Sequence, residues 1–269
     1  GNREKSDLVI NDNDYSLIAN PVSEDNKIIG AVILIIDVTE SVEREQLRRE
    51  FTSNVSHELK TPLTSISGFA EIMKNGGTPD AVVTDFSTSI YDEAQRLISL
   101  VNDIIKISEL DEKNVQAESE DVDLYELSAD IISRLKPVAD KRNISFNLIG
   151  ESTVVSGTEK ILDEMIYNLC DNAIKYNVDN GTVDVILSES RRHIKLTVRD
   201  TGIGIPQSEQ ERIFERFYRV DKSHSKSIGG TGLGLSIVKH AAIYHNAEIK
   251  LKSELGKGTS ITIAFTKDD

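Results

Sequence analysis

Two long apolar stripes at helical spacing constrain this chain more than any other feature. Leu47, Phe51, Val55, Leu59, Leu63 and Ile66 recur at steps of three and four residues, and Phe86, Ile90, Leu97, Val101, Ile104 and Ile105 form a second run. Asn75-Gly76-Gly77-Thr78-Pro79 breaks the chain between them. The spacing predicts an antiparallel helical hairpin. Two helices cover only part of each other's apolar face. Doubling the hairpin as a homodimer gives a four-helix bundle and closes that core. The alternative is a single hairpin packed on another domain. Pro62 falls inside the first stripe and supplies no N–H for the carbonyl of Glu58, which loosens the helix at that point.

The flanks have a different character. The 269 residues correspond to roughly two domains at about 150 residues each. Ahead of the hairpin, Tyr15–Ile18 and Lys27–Ile36 read as short strands separated by the turn residues Ser23–Asn26. Residues 1–37 are too few for an independent core, so they read as the end of a larger β domain. After the hairpin, residues 109–123 are dense in carboxylates and read as a solvated linker. Beyond it, Leu124–Arg142, Glu159–Lys175 and Leu233–Tyr244 have helical patterns. Ile144–Leu148, Val183–Leu187, Ile194–Arg199, Glu248–Lys252 and Ser260–Phe265 have strand patterns. Elements grouped in this way, without regular alternation, predict an α+β fold with a mostly antiparallel sheet.

Charge and cysteine content exclude several classes of function. Lys+Arg total 31 against 45 for Asp+Glu, a net charge of -14. That balance argues against nucleic acid or an anionic membrane surface as the main partner. A single cysteine, Cys170, excludes a disulfide within the chain and fits a reducing, cytoplasmic setting. It reads as a packed apolar residue. The longest apolar run, Ile28–Ile36, is about nine residues, where a membrane span needs about 20. No signal peptide is visible. Gly1 reads as a cloning remnant, so a membrane anchor elsewhere in a longer protein stays open.

Three constellations carry chemistry. Asp200-Thr201-Gly202-Ile203-Gly204-Ile205-Pro206 follows a strand, and Gly229-Gly230-Thr231-Gly232-Leu233-Gly234-Leu235 opens a helix. The second is a natural phosphate cradle, with backbone N–H groups exposed by glycine and a helix N-terminus behind them. Neither cluster has the lysine of a P-loop or the third small residue of a dinucleotide fingerprint. In Asn168-Leu169-Cys170-Asp171-Asn172-Ala173-Ile174-Lys175-Tyr176, the two asparagines share one helix face with Lys175. Amide oxygens can ligate Mg²⁺ beside phosphate, and a lysine neutralises phosphate charge.

Together these segments resemble the ATP-binding domain shared by sensor histidine kinases, DNA gyrase, Hsp90 and MutL. Ile213-Phe214-Glu215-Arg216-Phe217-Tyr218-Arg219 is similar to the phenylalanine box of the histidine kinases alone. The resemblance implies ATP and Mg²⁺ as cofactors. It places Asn168 on Mg²⁺, with Asn172, Lys175, Tyr176 and Arg219 facing phosphates or ribose. Asp200 would accept the adenine amino group; an ionised carboxylate only accepts, which disfavours guanine. Gly202, Gly204 and Tyr218, then Gly230, Thr231, Gly232, Leu233 and Gly234, complete the implied nucleotide set. Residues 206–230 would form a mobile lid with Phe214 and Phe217 as apolar anchors. Lys222, His224 and Lys226 read as a solvated loop face.

The first helix supplies a second match. Phe51-Thr52-Ser53-Asn54-Val55-Ser56-His57-Glu58-Leu59-Lys60-Thr61-Pro62-Leu63 resembles the histidine box of the HisKA-type kinases. By that resemblance His57 is the phosphorylated residue, since a neutral imidazole keeps one lone pair free. Glu58 is the general base, a role worth about 10²–10⁴ in rate. Adjacent helix residues point about 100° apart, so this pairing rests on the resemblance. Thr61 would orient water against a phospho-aspartate; the alternative is a hydroxyl that merely bonds a backbone carbonyl. A His-Glu-x-x-His zinc site is excluded, because position 61 is Thr. Asp37-Val38-Thr39-Glu40 resembles the junction that ends a PAS domain.

The resemblance implies a multidomain chain: a helical hairpin forming a dimeric four-helix bundle, then an α+β two-layer sandwich, after a short PAS remnant. The expected boundaries are 1–37 for the remnant, 38–50 for a signalling helix, 51–112 for the dimerisation and phosphotransfer domain, 113–123 for a linker and 124–267 for the ATP-binding domain. The implied function is that of a bacterial two-component sensor kinase, similar to phosphate-sensing or cell-wall-sensing types. It would phosphorylate His57 and pass the phosphoryl to an aspartate of a response regulator, with phosphatase activity besides. The expected partners are a response regulator and a second copy of the chain.

Overall fold

The structure, a computed structural model, describes residues 4–25, 27–76, 79–111, 119–220 and 230–267. The chain divides between Thr61 and Pro62 into two compact units.

The first unit opens with an antiparallel sheet of β1 (Glu4–Ile10), β2 (Asn13–Glu24) and β3 (Lys27–Asp37), in that order. β1 is one strand more than the sequence pattern predicts. Asn11 and Asp12 lie at φ 49° and 64°, which suits the two-residue turn joining β1 to β2. The sheet has little core of its own, and Ile29, Ile33 and Ile35 of β3 stay exposed. The passage into helix α1 (Thr39–Lys74) is tied tightly. Asp37 accepts the Thr39 hydroxyl at 2.6 Å and the Thr39 N–H at 3.0 Å, while Asp14 N–H donates to the Thr39 hydroxyl at 2.9 Å. These bonds hold the Asp37 carboxyl below its ordinary pKa, the side-chain bond contributing most.

Pro62 is buried inside α1 and does not end the helix. In the second unit, the C-terminal turns of α1 meet α2 (Asp80–Asp111), with the Phe69 and Phe86 rings 5.0 Å apart. Leu63, Tyr91, Ile98, Val101 and Ile105 remain exposed along the two helices. Among the described residues, no helix is long and apolar enough to cross a membrane.

The rest of the second unit is a two-layer α+β structure. β5 (Ser145–Ile149), β7 (Thr182–Glu189), β8 (His193–Asp200), β10 (Gly258–Thr266) and β9 (Glu248–Glu254) form a sheet in that order. β5 and β7 are parallel, and the other pairings are antiparallel. Alternate residues of β7 and β8 are buried, as expected for a sheet with one covered face. The core lies between that face and α3 (Leu124–Asp140), α4 (Glu159–Lys175) and α5 (Gly234–Tyr244), with Ile131, Leu162, Met165, Val185, Leu196 and Val238 inside it.

The acidic stretch before α3 is not all linker. Glu120–Asp123 forms β4, paired with β6 (Val154–Gly157). Val122 is buried, and Asp123 caps α3 by accepting the Tyr125 N–H at 2.8 Å. Residues 112–118 lie outside the described residues.

Candidate nucleotide-binding site and phospho-acceptor segment

Two adjoining cavities open in the second unit, of about 300 and 450 Å³. Asn172, Tyr176, Ile213, Tyr218 and Leu235 belong to the walls of both.

The smaller cavity is polar. α4 projects Asn168, Asn172 and Lys175 into it, as their spacing predicts. Asn168 Nδ2 donates to the Glu164 carbonyl at 2.7 Å, which turns Oδ1 the other way. A Cβ on Gly234 would stand 2.8 Å from that oxygen, so glycine here lets the start of α5 approach the asparagines. Gly232 lies at φ 74°, and its carbonyl accepts the Phe217 N–H at 2.9 Å, joining the glycine cluster to the phenylalanine box. Lys175 pairs with Asp171 at 2.6 Å. The opposite wall comes from α2, which sequence reasoning does not anticipate. Thr231 donates to the Asp103 carboxylate at 2.7 Å, and Lys106 pairs with Glu164 at 2.7 Å. Burial raises the Asp103 pKa, against the Thr231 bond and the nearby Lys106 and Lys175 charges.

The larger cavity is mainly apolar, walled by Ala173, Val198, Ile203, Ile205 and Ile261, with Asp200 at the end of β8. Asp200 Oδ1 accepts the Gly202 N–H at 2.8 Å and the Thr259 N–H at 3.2 Å. Burial raises the Asp200 pKa, and those two bonds oppose the rise. Gly204 sits at φ 68°, where a Cβ would meet the Glu254 carbonyl at 2.0 Å. Cys170 is fully buried behind this region, and desolvation pushes its thiol up to about 12, so it packs as an apolar residue.

Most of the expected nucleotide residues therefore converge. Gly230, Thr231, Gly232 and Gly234 line the polar cavity, and Gly204 and Arg219 line the apolar one. Three expectations need correction. Leu233 is fully buried and lines neither cavity, whereas Leu235 lies in the walls of both. Gly202 lies under the loop, where a Cβ would stand 2.2 Å from the Tyr176 carbonyl. The apolar anchor of the phenylalanine box is Ile213, 7% exposed, while Phe214 and Phe217 are half-buried. Phe217 has φ 63°, and its backbone is committed to Gly232. Tyr218 donates to Glu209 under the Arg212 guanidinium, which lies 4.2 Å from the ring centre. Lys222, His224 and Lys226 lie outside the described residues, as does residue 229.

In the first unit, α1 exposes His57 and leaves Glu58 half-buried. Thr61 is exposed, and its hydroxyl donates to the His57 carbonyl at 3.2 Å. This is the backbone bond set out above as the alternative reading; the hydroxyl oxygen can still accept.

Family models match both regions. Residues 47–113 match the His Kinase A (phospho-acceptor) domain, and residues 157–269 match the histidine kinase-, DNA gyrase B- and HSP90-like ATPase. The chain belongs to the sensor histidine kinase family. It is 40% identical over 238 residues to the sensor-like histidine kinase SenX3 of Mycolicibacterium smegmatis, covering 87% of this chain and 62% of that protein. It is 36% identical over 247 residues to the sensor histidine kinase WalK of Bacillus subtilis, covering 90% of this chain and 40% of that protein. The chain thus spans less than two thirds of these relatives. Among solved structures, histidine kinase ThkA in complex with response regulator protein TrrA is similar in fold, with a TM-score of 0.66 at 24% identity over 99% of this chain and 79% of that one. The histidine kinase AdeS of Acinetobacter baumannii matches with a TM-score of 0.65 at 22% identity, over 79% of this chain and 98% of that one.

Proposed function

We propose that this chain is a histidine kinase core that binds ATP in the two cavities and phosphorylates His57. The observation that carries the reading is the pairing of a polar cavity with an apolar one that ends in a carboxylate. Adenine is flat and largely apolar, and its amino group is a donor for Asp200. The triphosphate then falls to the asparagines, Lys175 and the glycine cluster. In the transfer, an imidazole nitrogen of His57 attacks the γ-phosphorus, the bond to the ADP oxygen breaks, and Glu58 takes the imidazole proton. Positioning and charge neutralisation carry most of such a reaction.

The donor set fits Mg²⁺. Asn168 commits its amide nitrogen to the helix, which leaves its oxygen as a neutral ligand beside the phosphate site. When bound, Mg²⁺ would neutralise phosphate charge. Asn168 would hold it, and Asn172 and Lys175 would orient the phosphates.

The phosphoryl would pass from His57 to an aspartate of a response regulator; the ThkA structure, solved with a response regulator, supports a partner of that kind. Thr61 would orient water for dephosphorylation of the regulator. The apolar residues left exposed on α1 and α2 support a homodimeric four-helix bundle. The sheet of residues 4–37 and its tied junction at Asp37–Thr39 fit the end of a PAS domain followed by a signalling helix at 38–50. A phosphotransfer domain at 51–112, a linker that ends before β4, an ATP-binding domain that takes in β4 and runs to 267, and a cytoplasmic setting complete the proposal. The test is incubation with γ-labelled ATP and Mg²⁺. The chain should take up an acid-labile, alkali-stable label, and His57→Ala should bind ATP without labelling.

A further inference from the structure

Arg142 lies in the turn after α3, outside both cavities, yet its guanidinium gathers the chain at the end of α4. Nη1 donates to the carbonyls of Ile174 at 2.8 Å and Lys175 at 3.2 Å, and Nη2 donates to the carbonyl of Asn177 at 2.6 Å. Nε donates to Asp179 at 3.0 Å. The Arg142 carbonyl accepts the Asn180 N–H at 3.0 Å. The last carbonyls of a helix lack intrahelical partners, and they carry the negative end of its dipole. A cation with a planar fork of donors satisfies both needs at once.

What this clamp fixes is the Tyr176–Asn177 turn, and that turn is the seat of the Asp200 loop. The Tyr176 carbonyl accepts the Ile203 N–H at 3.0 Å. Asn177 is buried; its Oδ1 accepts the Thr201 hydroxyl at 3.2 Å, and its Nδ2 donates to the Thr182 carbonyl at 3.1 Å. Gly202 packs against the same turn with no room for a Cβ. Three consecutive residues after Asp200 therefore rest on Tyr176 and Asn177, and Arg142 bonds the carbonyls of Lys175 and Asn177 on either side of Tyr176.

We propose that Arg142 is a positioning residue of the nucleotide site, setting the place of Asp200 and Tyr176 through the carbonyls of Ile174, Lys175 and Asn177. The inference rests on the reading of the cavities as an ATP site. Arg142 lines neither cavity itself and reaches the site only through backbone carbonyls at the end of α4, so its effect belongs to nucleotide affinity and not to the transfer step. Lysine keeps the charge but cannot span three carbonyls, so a substitution that is conservative in charge is not conservative here.

The test compares the wild-type chain with Arg142→Lys, Arg142→Met and Asp179→Ala. ATP affinity is read by calorimetry, the KM and kcat for autophosphorylation are separated, and amide hydrogen exchange is followed at Ile203. Asp179 is 72% exposed and serves as the control for the outer ion pair. Asp179→Ala should leave affinity within about twofold. Arg142→Lys should weaken ATP binding roughly tenfold and raise KM in proportion, with kcat nearly unchanged. Ile203 exchange should accelerate while the core amides of β8 stay protected. Wild-type affinity together with wild-type exchange at Ile203 in Arg142→Lys would overturn the proposal. If Arg142→Met does not fold, Arg142→Lys still decides. A wild-type chain that binds no ATP would overturn the nucleotide reading instead, and exchange at Ile203 would still decide whether Arg142 holds the loop.

Discussion

At the residue scale, the site depends on a few side chains whose surroundings define their tasks. Asp200 spends Oδ1 on the N–H groups of Gly202 and Thr259, which both orients the carboxylate and favours its charged form. In Asp200→Asn the amide must turn its oxygen to the same N–H groups and loses charge assistance. A charge-assisted bond is worth about 1.5–3 kcal/mol, so ATP binding should weaken by roughly 10- to 150-fold. Unchanged affinity by calorimetry would remove Asp200 from adenine recognition. Thr61 is the more open case, because its hydroxyl is seen on the His57 carbonyl. That bond adds to a carbonyl already inside a helix, so losing it should cost little stability. Thr61→Ala should therefore keep autophosphorylation but leave a phosphorylated regulator long-lived in the presence of ADP. A variant that speeds regulator dephosphorylation as well as the wild type would leave Thr61 with no phosphatase role.

At the element scale, α2 closes the polar cavity with a carboxylate. The Asp103 carboxylate hydrogen-bonds Thr231 in the same cavity wall as Lys175 and the asparagines. A bound triphosphate and Asp103 repel each other, and Asp103→Asn relieves this while keeping an acceptor for Thr231. ATP binding should tighten by roughly 5- to 30-fold, as removal of one charge at close range in a partly shielded site allows. Weaker binding would show that α2 supports the phosphates instead of opposing them. At the far end of the domain, His245 joins α5 to the start of α4. Its Nε2 accepts the Thr158 N–H at 3.1 Å, and Nδ1 donates to the Ala241 carbonyl at 2.8 Å. Burial lowers the His245 pKa, against the Ala241 bond. The folded state therefore favours the neutral ring. This contribution is complete above the unfolded value of about 6.5 and is lost as pH falls toward the lowered folded value. Denaturation midpoints at pH 7.5 and 5.5 check the sign: the wild type should lose more stability on acidification than His245→Gln. An equal loss would show that another group governs the acid limb.

At the scale of the whole molecule, legibility followed the range of the interactions. The long helices and the alternating strands announce themselves in local periodicity, and α4 begins and ends where its pattern does. β4 did not, because four acidic-flanked residues become a strand only by pairing with β6 about thirty positions later. The asparagines of α4 were readable from their spacing. Leu233 and Leu235 were not separable, because both sit in one glycine cluster and only the turn into α5 sends one inward. Asp103 and Lys106 were invisible as cavity residues for the same reason, and so were the contacts of Arg142: a local pattern says nothing of which distant segment a polar side chain will meet. The central claim joins the ATP site of one unit to the histidine box of the other, and locating the transferred phosphoryl tests it most directly. After incubation with ATP and Mg²⁺, peptide mapping by mass spectrometry under alkaline conditions should find the phosphoryl on His57, with none in His57→Ala. A phosphoryl on another residue, or undiminished labelling of His57→Ala, would contradict it.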